Sequence, residues 1–544
     1  MGEATVGIDF GTSTTLVAVR PGGGHETVLA LGESNLWVPS VVEVTPGGHL
    51  VGEVAEAGHP DRVLRSIKRS ITREQDEVEF PDGSAVKVDD VVSSILAESV
   101  ARARSLGHDL TAMRVQMGCP AIWRQPQRER LARIASGLGL DVDTPDIVDE
   151  PIAAGIAWVE HQWATTGSRP RGRVLVFDSG GGTLDIALLL VGGEEEPEIT
   201  VLSVAGLDEA GDAVDDAIAT DLAAVSPDLG ERHLHTRAVT MAARELKERL
   251  SFAEEQTVLV TGEPPLPASY RRTELEQQIE PQVQRATRLA QAAVRAGRAR
   301  ELFQQDGPTS IRQQPWEELA GSVEHVLLSG GTSAIPAMQR ALAELFPKAQ
   351  VLADQGVSST QASVVSGLSY ADTYGRLNLP RPALTFSVVF RGTERASGQT
   401  VTLEEQVLYP AFEPLFTPAQ VMRGETALGF ERPFSYPAQL RGPVEAVLVC
   451  RAVDRDATPI HFRVGAKKFR GVPVPMQPGS EGMFKLYVDG RILWTGNRAG
   501  GARVVHTVER WPTLRGARHD WALEMTPEED AAWGYHEDNW WQFR

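Results

Sequence analysis

The chain has 544 residues, 42% of them hydrophobic, and a formal net charge of -20. That length predicts more than one domain with sizeable cores, and the acidic balance excludes a general nucleic-acid binder. No apolar run approaches a membrane span and the first strand begins almost at Met1, so no membrane partner and no signal peptide are expected, and the protein reads as cytoplasmic.

The first apolar run, Ala4 to Ile8, leads through Asp9-Phe10-Gly11-Thr12-Ser13 into a second, Leu16 to Val19. This is strand, tight turn, strand; the glycine lets backbone N–H groups approach phosphate oxygens where a side chain would collide. Trp37 to Val42 and His49 to Gly52 read as two more short strands joined at Pro46-Gly47-Gly48, and the first five strands are expected in one sheet. Arg65 to Ser70, with Lys68, falls in a connecting helix or loop. Asp89 to Leu106 has helical spacing, Ala112 to Gly118 resembles a buried strand, and Gln125 to Leu138 reads as a second helix. A strand at Asp146 to Val148 then ends in Asp149-Glu150-Pro151, where Pro151 starts a helix and Glu150 sits at a strand-to-helix junction.

The opening pattern returns at Val174 to Phe177, followed by Asp178-Ser179-Gly180-Gly181-Gly182-Thr183-Leu184-Asp185 and the apolar run Ile186 to Val191. One such hairpin is common in ordinary structure. Two with Asp, Gly and Thr in matching order predict a duplicated phosphate clamp. An Asp in each turn would repel a polyphosphate, so Mg²⁺ is the implied third party. Neither turn is a Walker loop or a dinucleotide fingerprint, because no Gly-Lys-Ser/Thr follows and no helix opens directly after the glycines. Glu194-Glu195-Glu196 reads as a loop tip and Arg272 to Gln304 as a long solvated helix, its arginines interleaved with Glu and Gln. Cys119 and Cys450 have no Cys-x-x-Cys neighbours and read as buried thiols in a reducing compartment.

Seven blocks in order make residues 4 to 375 resemble the ATPase domain of the heat-shock protein 70 (DnaK-type) family and, more widely, the actin-like ATPase superfamily. They are Gly7 to Thr12, Val38-Pro39-Ser40-Val41-Val42, Ile67-Lys68-Arg69, Cys119-Pro120-Ala121 with Gln127-Arg128, Asp149-Glu150-Pro151, Asp178 to Asp185, and Leu328 to Pro336. The resemblance implies an α/β fold of two lobes, each a ribonuclease-H-like copy, and a slow ATP hydrolase using ATP/ADP and Mg. Asp9 and Asp178 would hold Mg²⁺ through water, while Gly11, Thr12, Ser13 and the backbone of Gly180, Gly181, Gly182 and Thr183 would cradle the phosphates. Lys68 and Glu150 would position the attacking water, with Thr183 in the catalytic set. Asp185 would join the water network or simply cap its turn. Lys247 and Ser251, on Glu245 to Ser251, would contact adenosine, or that helix presents a solvated face. Gly330 and Gly331 would admit the purine beside Thr332, or form a plain left-handed turn.

Departures from the family pattern fall around the base. Ala334 stands where the family usually has a purine-stacking Arg, Gln361 where it usually has Asp, and Arg244 where an acidic residue is usual. The Gly-Gly-x-Asp block is only partly kept, as Ala210-Gly211-Asp212 before Val214 and Asp215. Weaker nucleotide binding or a looser base preference is therefore expected. The family's leucine-rich linker is absent from 376–382, and 383–544 forms no block recognised from the family. Alternating stretches at Leu384 to Phe390, Ala446 to Cys450, His461 to Val464 and Phe484 to Trp494 predict a mainly β, sandwich-like domain. Trp511, Trp521, Trp533, Trp540 and Trp541 in its acidic tail read as core closure before interface anchors. The domain layout expected is thus 1–375, a linker at 376–382, and 383–544. The leading functional expectation is an atypical chaperone-like ATPase whose last domain binds a protein client or partner, with a co-chaperone or exchange factor possible. A nucleotide-dependent scaffold or filament, and after it a metabolite kinase, are the alternatives.

Overall fold

In a computed structural model, the residues described are 4–59, 61–192, 197–226, 228–229, 238–261, 264–298, 314–352, 362–393, 399–417, 420, 423, 428–474, 476–496, 503–514 and 522–527. The tail tryptophans after Trp511, the Glu194 to Glu196 tip, Gln361 and the end of the Arg272 to Gln304 stretch lie outside them. The chain divides into two compact units, one of Met1–Ile199, Val204–Val294 and Pro315–Tyr374, the other of Thr200–Ser203, Arg295–Gln314 and Gly375–Arg544.

In the first unit one topology occurs twice. The strand Thr5–Phe10 runs antiparallel to Thr14–Arg20 and parallel to Arg114–Cys119, which is itself parallel to Ile147–Asp149. Gly172–Ser179 runs antiparallel to Leu184–Gly192 and parallel to His325–Ser329, which is parallel to Gln350–Leu352. The leading strand of each set is buried nearly throughout, as a strand covered on both faces must be, which is why both read as unbroken apolar runs. Helices follow the pattern read from spacing: Val88–Ser105, Gln125–Gly137, and Glu150–Thr166 with Pro151 in its first turn and Gly167 ending it at φ 68°.

One expectation fails locally. Val42–Thr45 and Gly48–Val51 do not extend the first sheet; they pair with each other, and the former with Val63–Leu64, in a separate three-stranded sheet. Of the stretch from Trp37 to Gly52, Val38–Pro39 is the part that pairs with Thr14–Arg20. The Ser40 amide continues that pairing to the Ser13 carbonyl at 2.8 Å, and Pro39 has no N–H to offer a further strand.

The second unit is mainly β. Its strands follow one hydrogen-bonded path from Thr400–Tyr409 through Leu384–Thr393, Val444–Ala452, Pro459–Val464, Ala522–Pro527, Arg503–Arg510, Arg491–Gly496 and Glu481–Tyr487 to Gly429–Ser435. Pro459–Val464 joins two halves, pairing through Ile460 with Cys450 and through Phe462 with Leu523. The halves pack face to face where Phe386 meets Phe484 at 5.9 Å, giving a nearly closed, barrel-like form of the layered β domain. The predicted hairpin turns at Asp489-Gly490, where Gly490 takes φ 91° and Asp489 accepts from the Arg491 amide at 3.1 Å. The stretch expected as linker opens in the strand Gly375–Asn378, where Arg376 and Leu514 exchange backbone bonds of 2.9 and 3.0 Å. Trp511 is buried, and Cys119 and Cys450 are buried free thiols. Among the described residues no helix is long and apolar enough to cross a membrane.

Candidate functional site

Both glycine hairpins of the first unit open onto one cleft of about 400 Å³. It is lined by Asp9, Gly11, Thr12, Ser13, Lys68, Glu150, Asp178, Gly180, Gly181, Thr183, Asp185, Lys247, Ser251, Gly330, Gly331 and Thr332. Every site residue read from the sequence is in that set except Gly182. An added Cβ at Gly182 would meet Thr12 Oγ1 at 2.9 Å and Arg69 Cδ at 3.1 Å, so it packs one hairpin against the other lobe.

The two turns are closed alike. The Gly11 amide bonds the Thr14 carbonyl at 2.9 Å and the Gly180 amide bonds the Thr183 carbonyl at 3.1 Å. The outer face of the second turn is pinned in place: its Gly180 carbonyl accepts from the Gly211 amide at 3.1 Å and the Thr332 hydroxyl at 2.8 Å. The Gly181 carbonyl accepts from the Asp212 amide at 2.6 Å. Thr332, read as an adenosine contact, thus spends its hydroxyl on the phosphate turn. Gly330 has φ 78°, and a Cβ there would meet the Ser179 carbonyl oxygen at 2.3 Å, so no other residue fits without moving the backbone.

Charge collects on the cleft floor. Lys68, in the first turn of the short helix Lys68–Thr72, is buried and donates to Glu150. Burial opposes its charge, but Glu150 and Asp9 outweigh that and raise its pKa. Burial, with Glu150 nearby, pushes the Asp9 carboxyl up to about 7 against the pull of Lys68. Burial, then Glu150, Asp185 and Asp9, hold Asp178 well above the carboxylate range. Asp178 and Asp185 are direct cross-strand partners, a like-charge pairing that ordinary sheets avoid. Asp185 also accepts from the Thr183 hydroxyl at 2.8 Å and the Ala121 amide at 3.0 Å. Four carboxyl groups around one lysine are more than a low-dielectric floor lets ionise unaided, and Asp9, Asp178 and Asp185 hold their protons to higher pH as a result.

Sequence reading missed several supports. Arg128, fully buried, pairs with Asp149 and donates to the Ile147 carbonyl at 3.0 Å, holding the strand end that delivers Glu150. Lys247 ion-pairs with Asp215 at 2.7 Å and donates to the Gly211 carbonyl at 3.1 Å. Ser251 caps back to the Lys247 carbonyl at 3.1 Å. Arg128 stood in a recognised block, and Asp215 in a recognised motif, but their partners are far away in sequence.

Two like hairpins on two like sheets, facing one cleft, define the two-lobed actin-like class. The family model for Hsp70 protein matches residues 5–372, and the chain belongs to the Hsp70 family. It is similar to the chaperone protein DnaK of Deinococcus radiodurans, at 29% identity over 405 residues, 66% of this chain and 60% of that one. It is also similar to the chaperone protein DnaK of Deinococcus proteolyticus, at 29% identity over 402 residues, 66% of this chain and 59% of that one. The chain therefore matches about 60% of the length of these curated relatives.

Proposed function

We propose that this chain is a slow ATPase switch: it binds ATP with Mg²⁺, hydrolyses it, and couples the nucleotide state to its β-rich second unit, which binds a protein client or partner. The observation that carries the reading is the buried Lys68–Glu150 pair set between two phosphate-type hairpins, with Asp9 and Asp178 on the same floor. That cluster of buried carboxyl groups, which a cation would allow to ionise, fits a divalent metal ion. Asp9 and Asp178 are assigned to hold Mg²⁺ through water. The chemistry Mg²⁺ supplies when bound is charge neutralisation on the phosphates.

Each residue then has a task its chemistry supports. Backbone amides of the two turns, with the Thr12 and Ser13 hydroxyls, grip the phosphates. Lys68 offsets charge developing on the terminal phosphoryl group, and Glu150 fixes both the ammonium and the attacking water. Thr183 donates to Asp185, orienting that carboxylate toward the same water. The client-binding part rests on the similarity to DnaK proteins, which are named as chaperones; recovery of cross-linked partners by the full chain with and without ATP tests it.

For hydrolysis, Lys68→Ala is expected to keep nucleotide binding within a few-fold and to lose turnover by about 100-fold or more. Phosphate release under saturating Mg-ATP reads the second quantity and calorimetric titration the first. Full turnover in that variant would remove Lys68 from the mechanism.

A further inference from the structure

Phe252 is 84% exposed, more than any other large hydrophobic residue described, and no contact among the described residues accounts for it. Among the described residues lining the cleft it is the only aromatic one. Its backbone is fixed: it follows the helix Ala238–Leu250, and its amide bonds the Arg249 carbonyl at 3.1 Å. Ser251 beside it is anchored through both amide and hydroxyl to the Lys247 carbonyl, at 3.2 and 3.1 Å. The same cleft is lined by Gly331, where an added Cβ would meet nothing within 4 Å, and by the single methyl of Ala334. A planar group entering here meets bare backbone at Gly331 and one methyl at Ala334, beside the charged side chains of Arg244 and Glu248 and the ring of Phe252.

We propose that Phe252 is the platform on which the nucleobase stacks, taking a role that Ala334 cannot fill. This deepens the ATPase reading above and rests on it. An exposed phenyl ring gains by covering a base, and the base gains an aromatic face that neither Gly331 nor Ala334 supplies. Such stacking tolerates any base, because each has a π-face. The platform therefore secures affinity without selecting adenine, and GTP is expected to compete with ATP more evenly than a hydrogen-bonded pocket would allow.

The experiment compares ATP with its baseless analogue, ribose 5-triphosphate, both with Mg²⁺, on the full chain and on Phe252→Ala and Phe252→Trp variants. Phe252→Ala is expected to weaken ATP about ten-fold while leaving ribose 5-triphosphate unchanged, so the gap between the two ligands closes. Phe252→Trp should restore the gap and add an indole emission quenched by ATP but not by the baseless analogue. An unchanged ATP affinity in Phe252→Ala, or an equal loss for both ligands, overturns the platform alone. Failure of the unaltered chain to bind either triphosphate overturns the ATPase reading and the platform with it. Because the ring is solvent-exposed, equal melting temperatures should accompany all three proteins.

Discussion

Asp185 accepts two hydrogen bonds, from Thr183 and Ala121, yet burial and the nearby Glu150 push its carboxyl up to about 7. The folded protein thus keeps a proton there that the unfolded chain, with the ordinary value of 3.8, gives up earlier. The sign follows: this stability is fully present below the unfolded value, falls as pH rises, and is gone once pH passes the folded value. For a fully buried group the difference is on the order of 4 kcal/mol. Asp185→Asn carries no such proton, so its first unit should lose less thermal stability between pH 5 and pH 8 than the unaltered chain does in the absence of nucleotide. Calorimetry at both pH values checks this, and parallel losses in the two proteins would contradict it. Asp9, also raised to about 7, leans the same way, and neutralisation by Mg-nucleotide should flatten the dependence for both.

The helix Ser363–Tyr370 lies across the strand Thr5–Phe10 and the helix Glu150–Thr166 with backbone almost touching backbone. An added Cβ at Gly7 would meet the Val365 carbonyl oxygen at 2.4 Å, and one at Gly367 would meet the Ala153 carbonyl oxygen at 1.8 Å. Neither obstacle is a flexible side chain, so Gly367→Ala is expected to cost about 3 kcal/mol and to lower the melting temperature of the first unit. These glycines also mark what a sequence discloses. The hairpins, the helix after Glu150 and the Asp489-Gly490 turn were legible because their signals are local: glycines in a turn, an apolar period, a Pro in a first turn. Gly7 sat in the first phosphate motif but serves helix packing. Arg128 with Asp149, and Gly211 with Gly180, meet only after the chain has folded. The β domain was legible as strands, while its joining of two halves through Pro459–Val464 depended on Ala522–Pro527 arriving beside that strand.

At the largest scale the first unit is two lobes joined across the mouth of the cleft by charge. Asp208 of the second lobe receives Arg69 at 3.2 Å and Arg73 at 2.8 Å, both from the helix region beside Lys68. Asp212 accepts from the Ser66 hydroxyl at 2.8 Å while its own amide holds the Gly181 carbonyl at 2.6 Å. Ser66 takes φ 55°, a left-handed conformation a serine adopts only when something holds it, and that hydrogen bond supplies the hold. Contact between the lobes is therefore continuous with the second phosphate turn, so opening one loosens the other. The Asp208 pairs are partly exposed and worth about 0.2 to 1 kcal/mol each. Asp208→Ala should then speed release of a bound labelled nucleotide about two- to ten-fold at low ionic strength while leaving the hydrolytic step on Lys68 unaltered. Near 1 M salt the screening length falls to about 3 Å, and the variant and the unaltered chain should converge. Stopped-flow displacement across a salt series reads this directly, and release rates that match at low salt would show that the lobes are held by packing and not by these charges.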